Sequence, residues 1–529
     1  MARYDILIKG GMVLDGKRGA IRRADVGIDG NKIKFVGEPG GASGLMEIDA
    51  SGKYVAPGFV DLTNHSDTHW RLFLDPSQES LLRQGVTTIL GGNCGASLAP
   101  LVSGGDIQGI ERWVDISQIN INWQGMDEFL KELEGHKFGV NFGTLVGHGT
   151  LRKGVLGLES RIPNQTEVDQ MRLLLSRSLK AGAFGMSTSL GAAYGEMASD
   201  EEIDALLQVV AENNALAKHH LKDEGVNILP SLSQLIGFTR KEGASCHISH
   251  LKAVGRRAWE HAEDVVSLLD EAKKEGLAVS ADVFPYISTG SNLFMLLPTW
   301  ALAGGQKEIL ELIRTPEKRK LLVASLVDMT LHYERIVIAS VGGGAADVMG
   351  KSVSRLADNA GKRPEDVMLD LLDINDLRVG IFNEVINPDN LAKFLSWESS
   401  AVASDGVGYN RRGDGLERDL PHPRSFGAFP RVLEEFVKEK KLLSWEEAVY
   451  KMSGLPASIL GLKNRGVLEK GYMADVVVFD PERVRDVATY SNPFLFAEGM
   501  EWVLVNGRPV IENALFNGDN LNGQVVKKG

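Results

Sequence analysis

The sequence predicts an α/β fold: a (β/α)8 barrel of the TIM type, with a small β-sandwich-like domain built from both chain termini and an insertion over the active-site face. Three observations predict it. Strand and helix patterns alternate through the middle of the chain, as in βα units around a parallel sheet. Both ends are strand-rich and too short to bury a core alone. A stretch at about 285–380 breaks the barrel rhythm. With 529 residues, 43% of them hydrophobic, the chain can fill one such barrel with additions.

At the N-terminus, residues 4–9 alternate, Gly10-Gly11 reads as a turn and 12–14 resumes. Asp29-Gly30-Asn31 joins 25–28 to 32–36 as a hairpin. Residues 474–480 and 502–506 are the C-terminal counterparts, with Asn506-Gly507 as another turn. The expected division is 1–56 and 465–529 for the two parts of the small domain and 57–464 for the barrel. Barrel strands are expected at 59–62, 86–90, 138–145, 183–186, 215–220, 245–250, 277–283 and 401–404. Helices are expected at 80–84, 164–179, 200–212, 258–275, 389–395, 432–438 and 445–453, the second capped by Asn164 or Thr166. The insertion carries an apolar segment (293–303), a charged helix (307–325) and Gly342-Gly343-Gly344, and reads as a lid or subdomain.

Composition narrows the functional classes. A net charge of −12 argues against nucleic acid or an anionic membrane as partner. Two cysteines, Cys94 and Cys246, do not make a disulfide framework. The start has no apolar signal segment, and no run reaches the roughly eighteen apolar residues of a membrane span. A cytoplasmic protein acting on a small molecule is expected. The sequence carries no signal for an oligomeric state.

Chemistry-bearing residues gather at strand ends, where barrel active sites lie. Residues 54–67 contain a Pro57-Gly58 turn, a short buried strand and then Thr63, Asn64, His65, Ser66 and Asp67. Cys94 follows strand 86–90 in a glycine-rich turn; a thiolate suits zinc, although most free cysteines are inert core residues. His220 and His250 each end an apolar strand, beside His219 and His247. Alternation sends His219 and His220 to opposite faces without saying which points inward. Cys246 is expected in the core. Asp405, in Ser404-Asp405-Gly406, is either a turn residue or a carboxylate placed to take a proton from water. His422-Pro423-Arg424 is a later loop, and His69 has no assigned role.

Eight motifs in one order carry a resemblance. They are Asn93-Cys94-Gly95-Ala96-Ser97-Leu98-Ala99-Pro100, Gly147-His148-Gly149-Thr150-Leu151-Arg152, Ala183-Phe184-Gly185-Met186-Ser187-Thr188, His220-Leu221-Lys222-Asp223-Glu224, Ile248-Ser249-His250-Leu251-Lys252, Asp282-Val283-Phe284-Pro285-Tyr286, Ser404-Asp405-Gly406 and His422-Pro423-Arg424. Together they resemble the D-aminoacylase (N-acyl-D-amino-acid deacylase) branch of the amidohydrolase superfamily over nearly the whole chain. The resemblance implies zinc-dependent hydrolysis of the amide bond of N-acyl-D-amino acids. It places a tight Zn2+ site on Cys94, His220 and His250, and a weaker second metal on Thr63, His65 and Asp405. It makes Asp405 the general base and Lys252 the group holding the substrate carboxylate, helped by a tyrosine and a serine; in this chain Tyr286, Ser291 and Arg424 are expected to contact the substrate, and His65 to assist near the metal or the oxyanion.

Three departures qualify that expectation. Thr63 stands where the family has a histidine, so a second metal is expected to bind weakly or not at all. Phe284 stands where a carboxylate-binding tyrosine is common. The loop at 187–194 lacks the family's proline-rich run. Residues 291–300 contain no basic side chain, which favours a neutral, apolar D-residue. Two alternatives remain: a cyclic-amide or dipeptide hydrolase of the same superfamily, and a metal- or ligand-binding scaffold impaired in catalysis.

Overall fold

The computed structural model describes all residues except 1, 103–118, 158, 160, 192–194, 303–304, 343–345 and 411–418, and describes 2, 299 and 346 by backbone alone. Gly343-Gly344 and the 192–194 part of the loop singled out above therefore lie outside the described residues.

Eight parallel strands form a closed (β/α)8 barrel. They are β1 (Phe59–Asp61), β2 (Val86–Gly91), β3 (Asn141–Thr144, continued by Val146–Gly147), β4 (Gly185–Ser189), β5 (Leu216–His220), β6 (Ser245–Ile248), β7 (Val279–Val283) and β8 (Ser400–Val402). Each pairs in parallel with the next. Asp61 helps to close the ring: its carboxylate accepts from the Ser404 amide (2.9 Å) and from Asn64 Nδ2 (3.0 Å), and Asn64 bridges in parallel to Gly406. Strands such as β2 are buried on both faces, which explains their continuous apolar and β-branched runs. Local signals set the helices between them. Asn164 caps Gln165–Ala181 in a capping box with Glu167, and Ser199 caps Asp200–Glu212, whose first turn is acidic.

The chain ends share one nine-stranded sheet, in which Tyr54–Pro57 lies between Val476–Phe479 and the N-terminal strand. Its hydrophobic cluster draws on both ends, including Ile8, Val26, Val476 and Leu504. Gly10-Gly11 is no turn. Ala2–Val13 is one strand whose register shifts between Ile8 and Gly11, so the glycine pair accommodates a bulge. The expected helix over 258–275 is two, Arg256–Trp259 and Ala262–Lys274. The helix expected at 432–438 is a π-helical continuation (Val432–Glu439) of Arg424–Arg431, which contains Pro430.

Between β7 and β8 the chain leaves the barrel. Ser288–Asn292, Ile336–Val341 and Val379–Glu384 make a separate antiparallel sheet with the last in the middle. Helices such as Gly305–Arg314 and Pro364–Ile374 pack with it around their own cluster, including Leu293, Ile309, Leu322, Ile338 and Leu372. The first of these strands lies against the barrel mouth. His422 Nε2 meets the Ser288 carbonyl at 3.0 Å, and a Cβ on Gly290 would come 3.8 Å from Arg424 Nη2. No helix among the described residues is long and apolar enough to cross a membrane.

Candidate active site and metal centre

Cys94 sits in the turn after β2, and neighbouring strands fix that turn. Ser187 Oγ on β4 donates to the Gly92 carbonyl (2.5 Å) and accepts from the Gly95 amide (3.0 Å). Asn93 Nδ2 donates to the carbonyls of Leu90 (2.7 Å) and Asn64 (3.0 Å). Gly147 allows the close approach, since a Cβ there would lie 2.5 Å from the Gly95 carbonyl oxygen. The loop thus bridges strands on both sides and holds Cys94 at φ 51°. His250 and Asp405 are also left-handed, at φ 38° and 49°. Such backbone costs about 1–3 kcal/mol per non-glycine residue and persists where the surroundings impose it, commonly at functional sites.

The three strand ends converge. Ligand atoms of Cys94, His220 and His250 lie within 4.8 Å of one another, and no other group of three metal-capable donors does so among the described residues. Cys94 Sγ lies 3.4 Å from His250 Nε2. Bonds of about 2.3 Å to sulfur and about 2.0 Å to nitrogen in a tetrahedral zinc site require a sulfur–nitrogen edge of roughly 3.5 Å, so the spacing fits. The His220 and His250 rings meet edge-on with centroids 4.5 Å apart. Burial pushes the Cys94 thiol up, but His250, His220 and His65 outweigh it and hold the thiol well below its ordinary range, as the thiolate a metal needs. One thiolate and two imidazoles are a donor set suited to zinc.

Behind His250 stands Glu224, to which the sequence reading gave no role. Its Oε1 lies 3.1 Å from His250 Nδ1 and accepts from Lys252 Nζ at 2.6 Å. Burial raises the Glu224 carboxyl, yet Lys252, His220 and His250 bring it well below the usual range. A carboxylate on the far nitrogen of an imidazole ligand fixes its tautomer and direction. The signal available in the sequence was its place four residues after His220, on a loop where periodicity gives no direction.

The opposite side holds Asp405 and His65, with His65 Nε2 3.0 Å from Asp405 Oδ1 and Arg424 Nη1 donating to Asp405 Oδ2 at 2.5 Å. Burial raises Asp405, and Arg424, His250 and His65 reverse that, holding it ionised. For His65, burial lowers the imidazole, but Asp405 and Cys94 bring it to about 10. Its neighbour His69 is pushed to about 3, by burial first and then by the charges of His65, Arg71 and Arg424. Phe284 is buried between two cations, with Lys252 Nζ 5.8 Å and Arg424 Cζ 5.0 Å from its ring centroid.

The remaining expected residues lie apart. The Tyr286 hydroxyl donates to Asp486 Oδ2 (2.8 Å), and Arg431 stacks over its ring. Ser291 Oγ meets Met295 Sδ at 3.6 Å on the inserted sheet. His219 pairs with Thr188 (2.8 Å) and burial pushes it to about 3; Cys246 is buried and pushed up to about 12. Thr63 points below the site. Its hydroxyl donates to Asp282 Oδ2 (2.6 Å) and accepts from Lys218.

A barrel with these groups at one mouth defines a metal-dependent hydrolase. The sequence model described as "Amidohydrolase family" matches residues 46–334 and 418–511. The D-aminoacylase of Alcaligenes xylosoxydans xylosoxydans is 30% identical, with 99% of this chain and 98% of that protein covered. The N-acyl-D-glutamate deacylase of Bordetella bronchiseptica, solved with zinc and a phosphonate mimic of the tetrahedral intermediate, superposes with a TM-score of 0.83 at 29% identity, covering 99% of this chain and all (100%) of that one. A D-aminoacylase structure described as having a binuclear metal center, with one-metal activation and second-metal attenuation, gives 0.82 at 29% identity, with 99% and 100% covered. The chain belongs to the amidohydrolase family, in the branch of the D-aminoacylases and N-acyl-D-amino-acid deacylases.

Proposed function

We propose that the chain hydrolyses the amide bond of N-acyl-D-amino acids, preferring neutral, apolar side chains, with one tightly held Zn2+ on Cys94, His220 and His250. The observation that carries the reading is the convergence of those three ligand atoms beside the Asp405–His65 pair. Zinc bound there supplies Lewis acidity toward the amide carbonyl and the attacking water.

The chain's own residues do the rest. Asp405 accepts the water's proton and returns it to the leaving amine. His65, hydrogen-bonded to Asp405, orients that carboxylate and supplies positive charge near the developing oxyanion. Lys252 and Arg424, on either side of Phe284, form a cationic cleft for the substrate carboxylate. Binding there exchanges their present partners, Glu224 and Asp405, for the substrate. Tyr286 and Ser291 join this cleft only if the segment from 285 to 292 moves inward. With both cations committed to the α-carboxylate, an acidic side chain has no partner, which favours a neutral one. The insertion expected at about 285–380 serves as a lid in this reading, supported by its first strand, Ser288–Asn292, lying against the mouth.

The cyclic-amide reading needs a carboxylated lysine between two metals, and Lys218 is instead closed against Asp282 at 3.0 Å. The test is metal content of the purified protein with amine release from a panel of N-acetyl-D- and L-amino acids. One zinc per chain with D-selective release is expected. Bound zinc without release from any member overturns the catalytic reading in favour of a scaffold.

A further inference from the structure

Directly beneath the proposed centre is a polar cluster sealed from solvent. Thr63, Lys218, His247 and Asp282 are all 0% exposed. Lys218 lies on β5 two residues before His220, on the same face, and pairs in register with His247 on β6. Its ammonium has three partners for its three protons: the Leu62 carbonyl (2.6 Å), the Thr63 hydroxyl and Asp282 Oδ2 (3.0 Å). Asp282 Oδ2 also receives Thr63 Oγ1 (2.6 Å) and His247 Nε2 (2.8 Å), while Oδ1 accepts the His250 amide at 2.6 Å. The Thr63 hydroxyl is thus used twice, once as donor and once as acceptor.

Above it, on the side of the centre facing β1 and β8, are His65 and Asp405, hydrogen-bonded to each other at 3.0 Å. Among the described residues they join no group of three metal-capable donors within 4.8 Å, and Asp405 is already tied to Arg424. A second ion on this side would need the Thr63 position and the Asp405 carboxylate, and a cation of the chain holds each. A threonine hydroxyl accepts from an ammonium where an imidazole bound to a metal through one nitrogen could not do so equally, so residues 63 and 218 form a matched pair.

We propose that Lys218 is a built-in cation standing in place of a second metal ion, and that Thr63 and Lys218 together keep the centre at one ion. The inference rests on the reading of Cys94, His220 and His250 as the first metal site. Lys218 acts at a distance from the reacting atoms, as a positioning residue: through Asp282 it also anchors the strained backbone of His250.

The test is zinc stoichiometry on the full chain, stripped with chelator, reloaded with Zn2+, dialysed and measured by plasma mass spectrometry. One zinc per chain is expected for wild type and for Thr63→His, and a second for Thr63→His/Lys218→Met. Thr63→His/Lys218→Gln, which keeps a hydrogen-bond donor toward Asp282, gives the same second equivalent and covers the case in which the methionine variant misfolds. Two tightly held ions in wild type, a second ion in Thr63→His alone, or a single ion in both double variants each overturns the inference. No zinc in wild type overturns instead the reading of the first site.

Discussion

Two buried polar clusters are stacked along β5 and β6, linked where the His250 amide donates to Asp282 at 2.6 Å, and they are built on opposite rules. In the lower one, Lys218, Asp282, Thr63 and His247 satisfy one another, so that charge deep in the barrel is paired and hydrogen-bonded throughout. In the upper one, Cys94, His220 and His250 aim their ligand atoms at a common point, and the backbone at Cys94, His250 and Asp405 is held in a costly conformation. The contrast separates two meanings of a buried histidine or aspartate. Mutual saturation of polar groups marks the first, and convergence of donor atoms carried on left-handed backbone marks the second.

The largest effect is expected where the upper cluster meets water. Asp405→Asn removes the proposed proton acceptor and should lower kcat/KM by about 10²–10⁴-fold, the range of a general base, with zinc content near that of wild type. Metal analysis alongside initial rates checks it; a variant with full activity removes Asp405 from the role. Next is the lower cluster. Lys218→Met leaves Asp282 charged and without its cation, and breaking a buried pair in this way costs about 3–5 kcal/mol. Thermal unfolding of the metal-free protein should show the loss, and Lys218→Met/Asp282→Asn should recover part of it. An unchanged midpoint in the single variant would mean that the pairing carries no stability.

How much of this contrast is legible in the sequence depends on which signal each residue gives. The barrel follows from alternating strand and helix patterns and from continuous apolar strands, because burial on both faces leaves a strong mark. Cys94, His220 and His250 stand out because each ends or closely follows a barrel strand. Lys218 gives the reverse signal. A lysine in a buried strand conflicts with the apolar pattern, and only three-dimensional placement reveals Asp282, from a strand two positions away in the barrel, as its counter-charge. Glu224 is hidden for another reason: it lies beyond the end of β5, where chain direction is set by tertiary contacts rather than by period. The Gly10-Gly11 pair shows a third limit, since a glycine pair marks a turn or a bulge equally well and the neighbouring strands decide.

Glu224 joins the two clusters in kind, being a fully engaged carboxylate whose partner is a proposed ligand. Glu224→Gln keeps the shape and removes the charge behind His250. Loss of such a partner is expected to weaken zinc binding by about 10–100-fold. Competition against a zinc-binding dye measures this directly, and the stability of the metal-free protein should change less than in Lys218→Met. Equal zinc affinity in the two proteins would assign Glu224 to Lys252 alone.

The smallest effect tests the cationic cleft. Phe284 separates Lys252 from Arg424 and offers only its ring to each. Phe284→Tyr adds a hydroxyl, and if the substrate carboxylate lies between the two cations, that hydroxyl gains a charge-assisted partner when substrate binds. A net hydrogen bond of about 1 kcal/mol corresponds to a fall in KM of roughly fivefold. Because the same bond is made in the ground state and in the transition state, kcat should stay within a factor of about two. Steady-state kinetics on an N-acetyl-D-amino acid, with the amide analogue of its carboxylate as control, separates the outcomes. A lower KM for the acid and not for the amide places the carboxylate beside residue 284, whereas an equal change in both, or a rise, means that the carboxylate is held elsewhere.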